Sequence, residues 1–297
     1  EMCIRDRYAG DSLRHFELAV QSVQAQTHKN LEFLIVLDGP IHRETQAFLD
    51  RVTLHDDRVQ VLPRKVNEGP ARARNYGIER ACGDYIAILD ADDIAVPERI
   101  EKQLAFLLER DADVIGSYYR VIDGKGRVVG KRQVPATAEG IRKSFCLFNP
   151  IANSTVFGKA AVLKIHPYPE DYASSAPNVA GADAADAEDA TRRVDKCIEF
   201  EDYALWILLA RKRYTLLNQP EYLVLFRTDE KFIERRTGWT YFRREVRCKL
   251  GSIPLYPIYA APVVFAIVLG SAFARLLPPG ALQQLYRMRS ALRFGSG

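Results

Sequence analysis

The feature that most constrains the fold is a short apolar run that ends in carboxylates. Residues 85–89 read Tyr-Ile-Ala-Ile-Leu, and Asp90, Asp92 and Asp93 follow at once. An apolar run of this kind, with a glycine shortly before it, predicts a buried strand, and strands that are apolar throughout are typical of parallel sheets covered on both faces. Such sheets bind ligands beyond the carboxyl ends of their strands, which is where these carboxylates are expected to lie.

The carboxylate cluster predicts a cation site. Neighbouring carboxylates repel one another unless a cation neutralises them, and Mg²⁺ or Mn²⁺ is commonly held by one or two carboxylates together with the phosphates of a substrate. The alternative is an acidic turn that precedes a helix starting near Pro97. The cluster ends a longer segment, residues 67–93, and because of that context we favour a divalent metal held by Asp92, with Asp90 beside it.

Strand and helix patterns alternate along the first part of the chain. Strand patterns lie at residues 31–37, 59–63 and 85–89, and helical patterns lie at residues 13–26, 44–52 and 69–81. This alternation predicts an α/β fold with a mostly parallel sheet flanked by helices. No Gly-x-Gly-x-x-Gly follows a predicted strand, so the dinucleotide-binding fingerprint is absent.

Four segments, in the same order, resemble the family 2 glycosyltransferases of the GT-A fold. They are residues 22–27, 34–40, 67–93 and 200–206, and the resemblance extends over about residues 8–227. It implies a Rossmann-like sheet and the transfer of a sugar, with inversion, from a nucleotide diphosphate sugar, for which a UDP-sugar is expected. It also implies Mn²⁺ or Mg²⁺ as the cofactor.

By this resemblance, residues of the first half hold the donor. They are Asp38, Asn67, Gly69, Arg74 and Asp90. Asp38 matches the acidic residue that binds the base in this family, although an Asx turn at Asp38-Gly39 is an alternative explanation. Arg74 is expected either to reach a phosphate or ribose of the donor or to pair with a nearby aspartate.

Residues of the second half are expected to bind the acceptor. Asp202 matches the family's general base, which takes the proton of the acceptor hydroxyl, and Glu201 is expected to have a lesser role. Because carboxylates in the first turn of a helix also interact favourably with its dipole, a capping role is the alternative. Asn153 and Ser154 resemble a segment that lines the sugar pocket, or they belong to a loop that leads into a strand.

The sequence predicts two regions. Residues 1–227 form the glycosyltransferase domain, with a nucleotide-binding half of about residues 8–115 and an acceptor half of about residues 116–227. Residues 1–7 are so highly charged that we expect the first strand of the family to be missing. Residues 170–196 are rich in Ala, Asp and Ser and are expected to form a surface spacer or a lid over the acceptor.

Residues 228–297 form a basic and apolar region. They contain eleven Lys or Arg and four Asp or Glu, a net charge of about +7, whereas residues 1–227 carry about −3. Residues 251–274 are uncharged over 24 positions, long enough to span a membrane, but three prolines interrupt them and basic residues such as Lys249 and Arg275 flank both ends. This pattern predicts an in-plane or re-entrant membrane-associated helical segment, with a single span or a buried core helix as alternatives.

Together these features predict an inverting glycosyltransferase at the cytoplasmic face of the inner membrane. Its expected partners are a nucleotide sugar, a glycan or lipid-linked acceptor of bacterial surface polysaccharide synthesis, and the membrane surface. A net charge of only +4 indicates no nucleic-acid partner. Two other classes stay open: a glycosyltransferase-like binding protein inactivated by the missing strand, and a nucleotidyltransferase, which is expected to have a glycine-rich phosphate loop after its first strand.

Overall fold

A computed structural model of the protein describes residues 12–170, 200–228, 236–278 and 280–282, together with the backbone of residues 2–4. From residue 171 onward, the predicted spacer or lid lies outside the described residues. The strands are β1 (Met2–Ile4), β2 (Phe33–Asp38), β3 (Val59–Arg64), β4 (Tyr85–Leu89), β5 (Ile94–Ala95), β6 (Val114–Ile122), β7 (Val128–Arg132), β8 (Phe157–Lys159) and β9 (Leu216–Arg227). The helices are α1 (Leu13–Gln24), α2 (Arg43–His55), α3 (Pro70–Arg80), α4 (Arg99–Arg110), α5 (Ala138–Ser144), α6 (Ala160–Ile165), α7 (Glu201–Arg211), α8 (Trp239–Leu250) and α9 (Ala261–Phe273).

The described strands form one nine-stranded sheet. Their order is β3-β2-β1-β4-β8-β6-β9-β5, and β7 pairs with β6 beside this path. The strands β3, β2, β1 and β4 are parallel to one another. Beyond β4 the sheet is mixed, because β8 pairs antiparallel with both β4 and β6 while β9 runs parallel to β6.

Helices cover both faces of this sheet, as the sequence predicts. The side chains of β2 alternate between two cores: Phe33, Ile35 and Leu37 pack with α1, α2 and α4, whereas Leu34 and Val36 pack with α3 and α7. A strand between two covering layers has no solvent-facing side, which is why every residue of β2 is buried.

The prediction that the first strand is missing is wrong. Residues Met2–Ile4 form β1, which lies between β2 and β4, and Cys3 pairs with Leu34 on one side and with Ile88 on the other. The charges of residues 1–7 lie on either side of the apolar triplet Met-Cys-Ile, and a strand of three residues needs no more than that triplet. The inactive binding protein, which depended on a missing strand, therefore loses its basis.

The C-terminal region contains two helices packed against each other, and we call residues 239–276 the C-terminal hairpin. One face of α9, formed by Val264, Val268 and Ala272 at a spacing of four, is buried, and its two valines share a small core with Cys146. Other positions of α9 leave Val263 and Phe265 exposed. By length and composition alone, residues Ile258–Leu276 could cross a membrane, a criterion that core helices of soluble proteins also meet.

A buried ion pair holds the two helices of the hairpin together. The carboxylate of Glu245 lies 2.7 Å from Lys249 Nζ and 2.6 Å from Arg275 Nε. Burial acts to raise the pKa of Glu245, but its two cationic partners outweigh burial and hold the pKa below its ordinary value. Since Lys249 and Arg275 are engaged inside the hairpin, they are not the lipid-facing charges that the sequence suggested, whereas Arg243 and Arg247 are exposed.

A second buried cation lies behind the carboxylate cluster. Arg99 of α4 donates from Nη2 to the carbonyl oxygens of Ile88, at 2.9 Å, and Val156, at 3.0 Å, and from Nε to Gln103 Oε1 at 2.8 Å. Burial lowers the pKa of Arg99 to about 9, although Asp93 and Asp90 act in the opposite direction. The guanidinium therefore ties β4 to the segment that precedes β8.

Replacing Arg99 is expected to destabilise the fold. Arg99→Ala leaves buried carbonyl oxygens without this donor and should lower the free energy of unfolding by about 3 kcal/mol. Arg110→Ala, a matched change at an exposed position of the same helix, should alter it by less than about 0.5 kcal/mol. Denaturant unfolding of both variants checks this, and equal losses would contradict the role given to Arg99.

Candidate active site

Polar side chains converge on Asp90 at the carboxyl end of β4. Asp90 Oδ1 accepts hydrogen bonds from Arg74 Nη2, at 3.2 Å, and from Asn153 Nδ2, at 3.3 Å. The backbone N–H of Asp90 donates to Ser154 Oγ at 3.0 Å. Since Arg74 also pairs with Glu201, one cluster contains five of the residues that the sequence predicts for the donor and sugar sites.

Arg74 is the centre of this cluster. Its guanidinium is buried and donates to the carboxylates of both Asp90 and Glu201, and it lies 5.1 Å from the centroid of the Tyr168 ring. Burial acts to lower the pKa of Arg74, but the two carboxylates outweigh burial and raise the pKa above its ordinary value. Of the two roles predicted for Arg74, pairing with a nearby aspartate is seen in the structure, and a contact with a phosphate or ribose of the donor stays a prediction.

The other two carboxylates of the cluster differ in environment. Asp92 is exposed, whereas Asp93 is buried and accepts a 2.6 Å hydrogen bond from the backbone N–H of Arg227. Among the residues that the structure describes, Asp93 Oδ2 has no hydrogen-bond partner. Burial, followed by the charges of Asp92 and Asp90, raises the pKa of Asp93 well above its ordinary value, although a hydrogen bond from Ser154 acts to lower it. The raised pKa of Asp93 thus reflects its burial beside two other carboxylates.

Asp92 and Asp90 are the residues that fit a divalent metal. Carboxylate oxygens are the ligands that Mg²⁺ and Mn²⁺ prefer. Within the part of the chain that the structure describes, no group of three or more His, Cys, Asp and Glu side chains is arranged to hold a metal ion. Two carboxylates are a number that Mg²⁺ commonly uses, together with substrate phosphates and water.

Asp202 lies at the start of α7, directly after Glu201. Its Oδ2 accepts a 2.9 Å hydrogen bond from Asn149 Nδ2, and its Oδ1 accepts a 2.7 Å hydrogen bond from the backbone N–H of Tyr203. Burial, followed by the negative charge of Glu201, raises the pKa of Asp202 to about 7, although Arg74 acts to lower it. A carboxylate with such a pKa can accept a proton near neutral pH.

Three predicted donor residues form a separate cluster around the end of β2. The buried carboxylate of Asp38 accepts hydrogen bonds from Arg64 Nη1 at 2.8 Å and from the backbone N–H groups of Glu68 and Gly69, the latter at 2.7 Å. Asn67 Oδ1 accepts from the same Gly69 N–H at 3.1 Å. The structure thus shows Asp38 as a link between β2 and the loop before α3, while its contact with a base stays a prediction.

Sequence reasoning missed the residues that hold these groups in place. Gln26 is fully buried, donates to the carbonyl oxygen of Val96 at 2.8 Å and accepts from the backbone N–H of Ile100 at 3.0 Å. Ser22 Oγ accepts from the backbone N–H of Ala95 at 3.1 Å. Both lie in the first segment that carries the family resemblance, so that segment supports the chain just after the carboxylates.

The sequence matches a known family over the part of this site that precedes residue 162, whereas Glu201 and Asp202 lie outside the match. Residues 16–161 match the sequence model of glycosyl transferase family 2. The amylovoran biosynthesis glycosyltransferase AmsE of Erwinia amylovora is 26% identical over 290 residues, which are 94% of this chain and 95% of AmsE. An uncharacterized glycosyltransferase of Rickettsia felis is 35% identical over 156 residues, which are 52% of this chain, and the match spans only 25% of that relative.

Solved structures share the fold. S. aureus TarS 1–349 in complex with UDP-GlcNAc superimposes with a TM-score of 0.61 at 17% identity, covering 93% of this chain and 73% of TarS 1–349. The mannosyltransferase PcManGT from Pyrobaculum calidifontis, in complex with GDP-Man and Mn²⁺, gives a TM-score of 0.55 at 14% identity, covering 98% of this chain and 80% of PcManGT. The chain therefore has a GT-A-like fold, and about half of it is similar to the sequence model of glycosyl transferase family 2.

Proposed function

We propose that this protein is a family 2 glycosyltransferase that moves a sugar, with inversion, from a nucleotide diphosphate sugar such as a UDP-sugar to a hydroxyl group of a glycan or lipid-linked acceptor. The reaction takes place at the cytoplasmic face of the inner membrane, in bacterial surface polysaccharide synthesis. Neighbours of the same fold bind UDP-GlcNAc and GDP-Man, and AmsE belongs to amylovoran biosynthesis. These likenesses support the proposal, as does the chemistry of the site.

The observation that carries the proposal is the ion pair formed by Arg74. One buried guanidinium joins Asp90, at the predicted donor side, to Glu201, at the predicted acceptor side. Asp202, with its pKa raised to about 7, is the next residue of the chain. A carboxylate suited to metal and phosphate and a carboxylate suited to proton transfer are thereby held in one network.

In the proposed mechanism, Asp202 acts as the general base. The acceptor hydroxyl gives its proton to the Asp202 carboxylate, its oxygen bonds to the anomeric carbon, and the nucleotide diphosphate leaves from the opposite face with the electron pair of the broken bond. Asn149 orients the carboxylate of Asp202 through its 2.9 Å hydrogen bond. Asp92 and Asp90 would hold a Mn²⁺ or Mg²⁺ ion, which when bound would supply positive charge to neutralise the diphosphate.

Product analysis tests the function and its metal dependence together. Membranes that contain the protein, incubated with a panel of nucleotide sugars, are expected to yield an acceptor heavier by one sugar residue, detected by mass spectrometry. EDTA should abolish this product and Mn²⁺ or Mg²⁺ should restore it, because the leaving diphosphate requires charge neutralisation. Asp92→Asn should remove most of the activity.

The matched control is Asp84→Asn, the same change at an exposed residue just before β4. It should leave the rate close to that of the unmodified protein. Full activity in EDTA would refute the metal assignment. An acceptor that gains a nucleoside monophosphate instead of a sugar would show a nucleotidyltransferase.

The assignment of Asp202 as the general base predicts how kcat depends on pH. Since only ionised Asp202 can accept the proton, kcat should rise with pH through about 7 and then level off. Asp202→Asn should lower kcat by at least ~10²-fold with little change in donor affinity. Glu201→Gln removes a negative charge that raises the pKa of Asp202, so it should move the rise in kcat to lower pH.

Two results would contradict this assignment. Donor affinity that falls in step with the rate of Asp202→Asn would mean that Asp202 positions the donor. A pH profile that does not move in Glu201→Gln would mean that another group controls the rate.

The exposed apolar face of α9 is expected to bind a membrane surface. Val263→Ser combined with Phe265→Ser should weaken binding to anionic vesicles, measured by sedimentation, by at least about tenfold. The two substitutions remove apolar side chains that would be buried in lipid. The matched control, Val128→Ser with Val129→Ser on exposed β7, should have no effect. A single cysteine introduced at Gly280 and labelled only from the outer side of sealed vesicles would instead show a spanning segment.

A further inference from the structure

One backbone segment, residues 142–149, lies between the C-terminal hairpin and Asp202. On the hairpin side, the Tyr256 hydroxyl donates to the carbonyl oxygen of Arg142 at 3.0 Å and accepts from the backbone N–H of Cys146 at 3.1 Å. The one hydroxyl hydrogen of Ser271 has two acceptors, the carbonyl oxygen of Val268 in its own helix at 3.0 Å and that of Cys146 at 3.3 Å. The side chain of Arg142 returns a hydrogen bond to the Leu255 carbonyl oxygen at 2.7 Å. The hairpin therefore holds the start of this segment at several points.

On its other side, the same segment contacts the start of α7. Tyr203 donates its hydroxyl hydrogen to the carbonyl oxygen of Phe145, and Asn149 Nδ2 donates to Asp202 Oδ2 at 2.9 Å. The second oxygen of Asp202 is engaged by the backbone of its own helix. The orientation of the Asp202 carboxylate thus depends on where Asn149 is held.

The hairpin is itself fixed, so it can serve as a support. Lys249 is completely buried between Glu245 and Ser271, with its Nζ 2.9 Å from Ser271 Oγ. The hydroxyl of Ser271 thereby connects the ion pair inside the hairpin to the Cys146 carbonyl oxygen. Cys146 also packs with Val264 and Val268 of α9.

We propose that the C-terminal hairpin positions the catalytic base: Tyr256 and Ser271 fix residues 142–146, and Asn149 then holds Asp202 in its reactive orientation. This inference rests on the proposed role of Asp202. It gives the hairpin a function in the reaction that is separate from binding a membrane, and it names Asn149, Tyr256 and Ser271 as positioning residues. Because the contacts of the hairpin described above lead to Asp202, the loss of one of them should lower kcat rather than donor affinity.

The test compares two identical substitutions within the hairpin. Tyr256→Phe removes the hydroxyl that contacts residues 142 and 146, whereas Tyr259→Phe removes the hydroxyl of a residue that is 83% exposed. Both variants are measured as the full chain in solution with a soluble acceptor and no membrane. Tyr256→Phe is expected to lower kcat by about tenfold, within the ~10²-fold that misplacing a catalytic group can cost, with the donor KM unchanged. Tyr259→Phe is expected to match the unmodified protein.

A second comparison separates positioning from general damage to the fold. If the hairpin acts through Asp202, Tyr256→Phe should cause no further loss of kcat in the Asp202→Asn variant, because there is no longer a base to position. Amide hydrogen exchange across residues 142–149 gives a readout that does not depend on activity. Exchange should become faster in Tyr256→Phe and stay unchanged in Tyr259→Phe.

The outcomes separate the two proposals. Faster exchange with an unchanged kcat, equal losses of kcat in both backgrounds, or unchanged exchange in Tyr256→Phe would each overturn the positioning role of the hairpin. An Asp202→Asn variant as active as the unmodified protein would instead refute the proposed base, whatever Tyr256→Phe does.

Discussion

The buried ion pair of Arg74 with Asp90 and Glu201 is the interaction on which the rest of the site depends. It joins the parallel part of the sheet to α7, so the two carboxylate groups of the site cannot move independently. Removing one member of a buried ion pair costs about 3–5 kcal/mol, because an unpaired charge is left in a poorly solvated place. Substitutions of Arg74 therefore report on the fold and on the reaction at the same time.

Both ends of this network are supported by groups that lie behind them. Gln26 and Arg99 hold the chain on either side of Asp90 and Asp92, through backbone carbonyl and N–H groups. The segment ending at Asn149 does the same for Asp202. Catalytic geometry is kept within narrow limits when the supporting residues are themselves locked by packing and hydrogen bonds.

The sequence predicted those parts of the structure that repeat a local pattern. The run at Tyr85–Leu89 and the alternating helices and strands gave the α/β class, and the family resemblance indicated residues that the fold brings together around Arg74. Sequence reasoning failed where contacts between residues that are distant in the sequence determine the local structure or the burial of a side chain. The triplet Met2–Ile4 is stabilised as a strand by its two neighbours despite the flanking charges. The burial of Arg99 and Lys249 depends on partners that are distant in sequence or on another helix, which no local pattern reveals.

The two ends of the strand order have a consequence for contacts between copies of the protein. An exposed edge strand can pair with another chain, and this risk grows when molecules are concentrated in two dimensions. Strand β3, at one end, contains Pro63, which has no N–H to donate, and ends in Arg64 with Lys65 after it. At the other end, β5 has only two residues. Neither of these two ends of the strand order offers a long, regular ladder to a neighbouring chain.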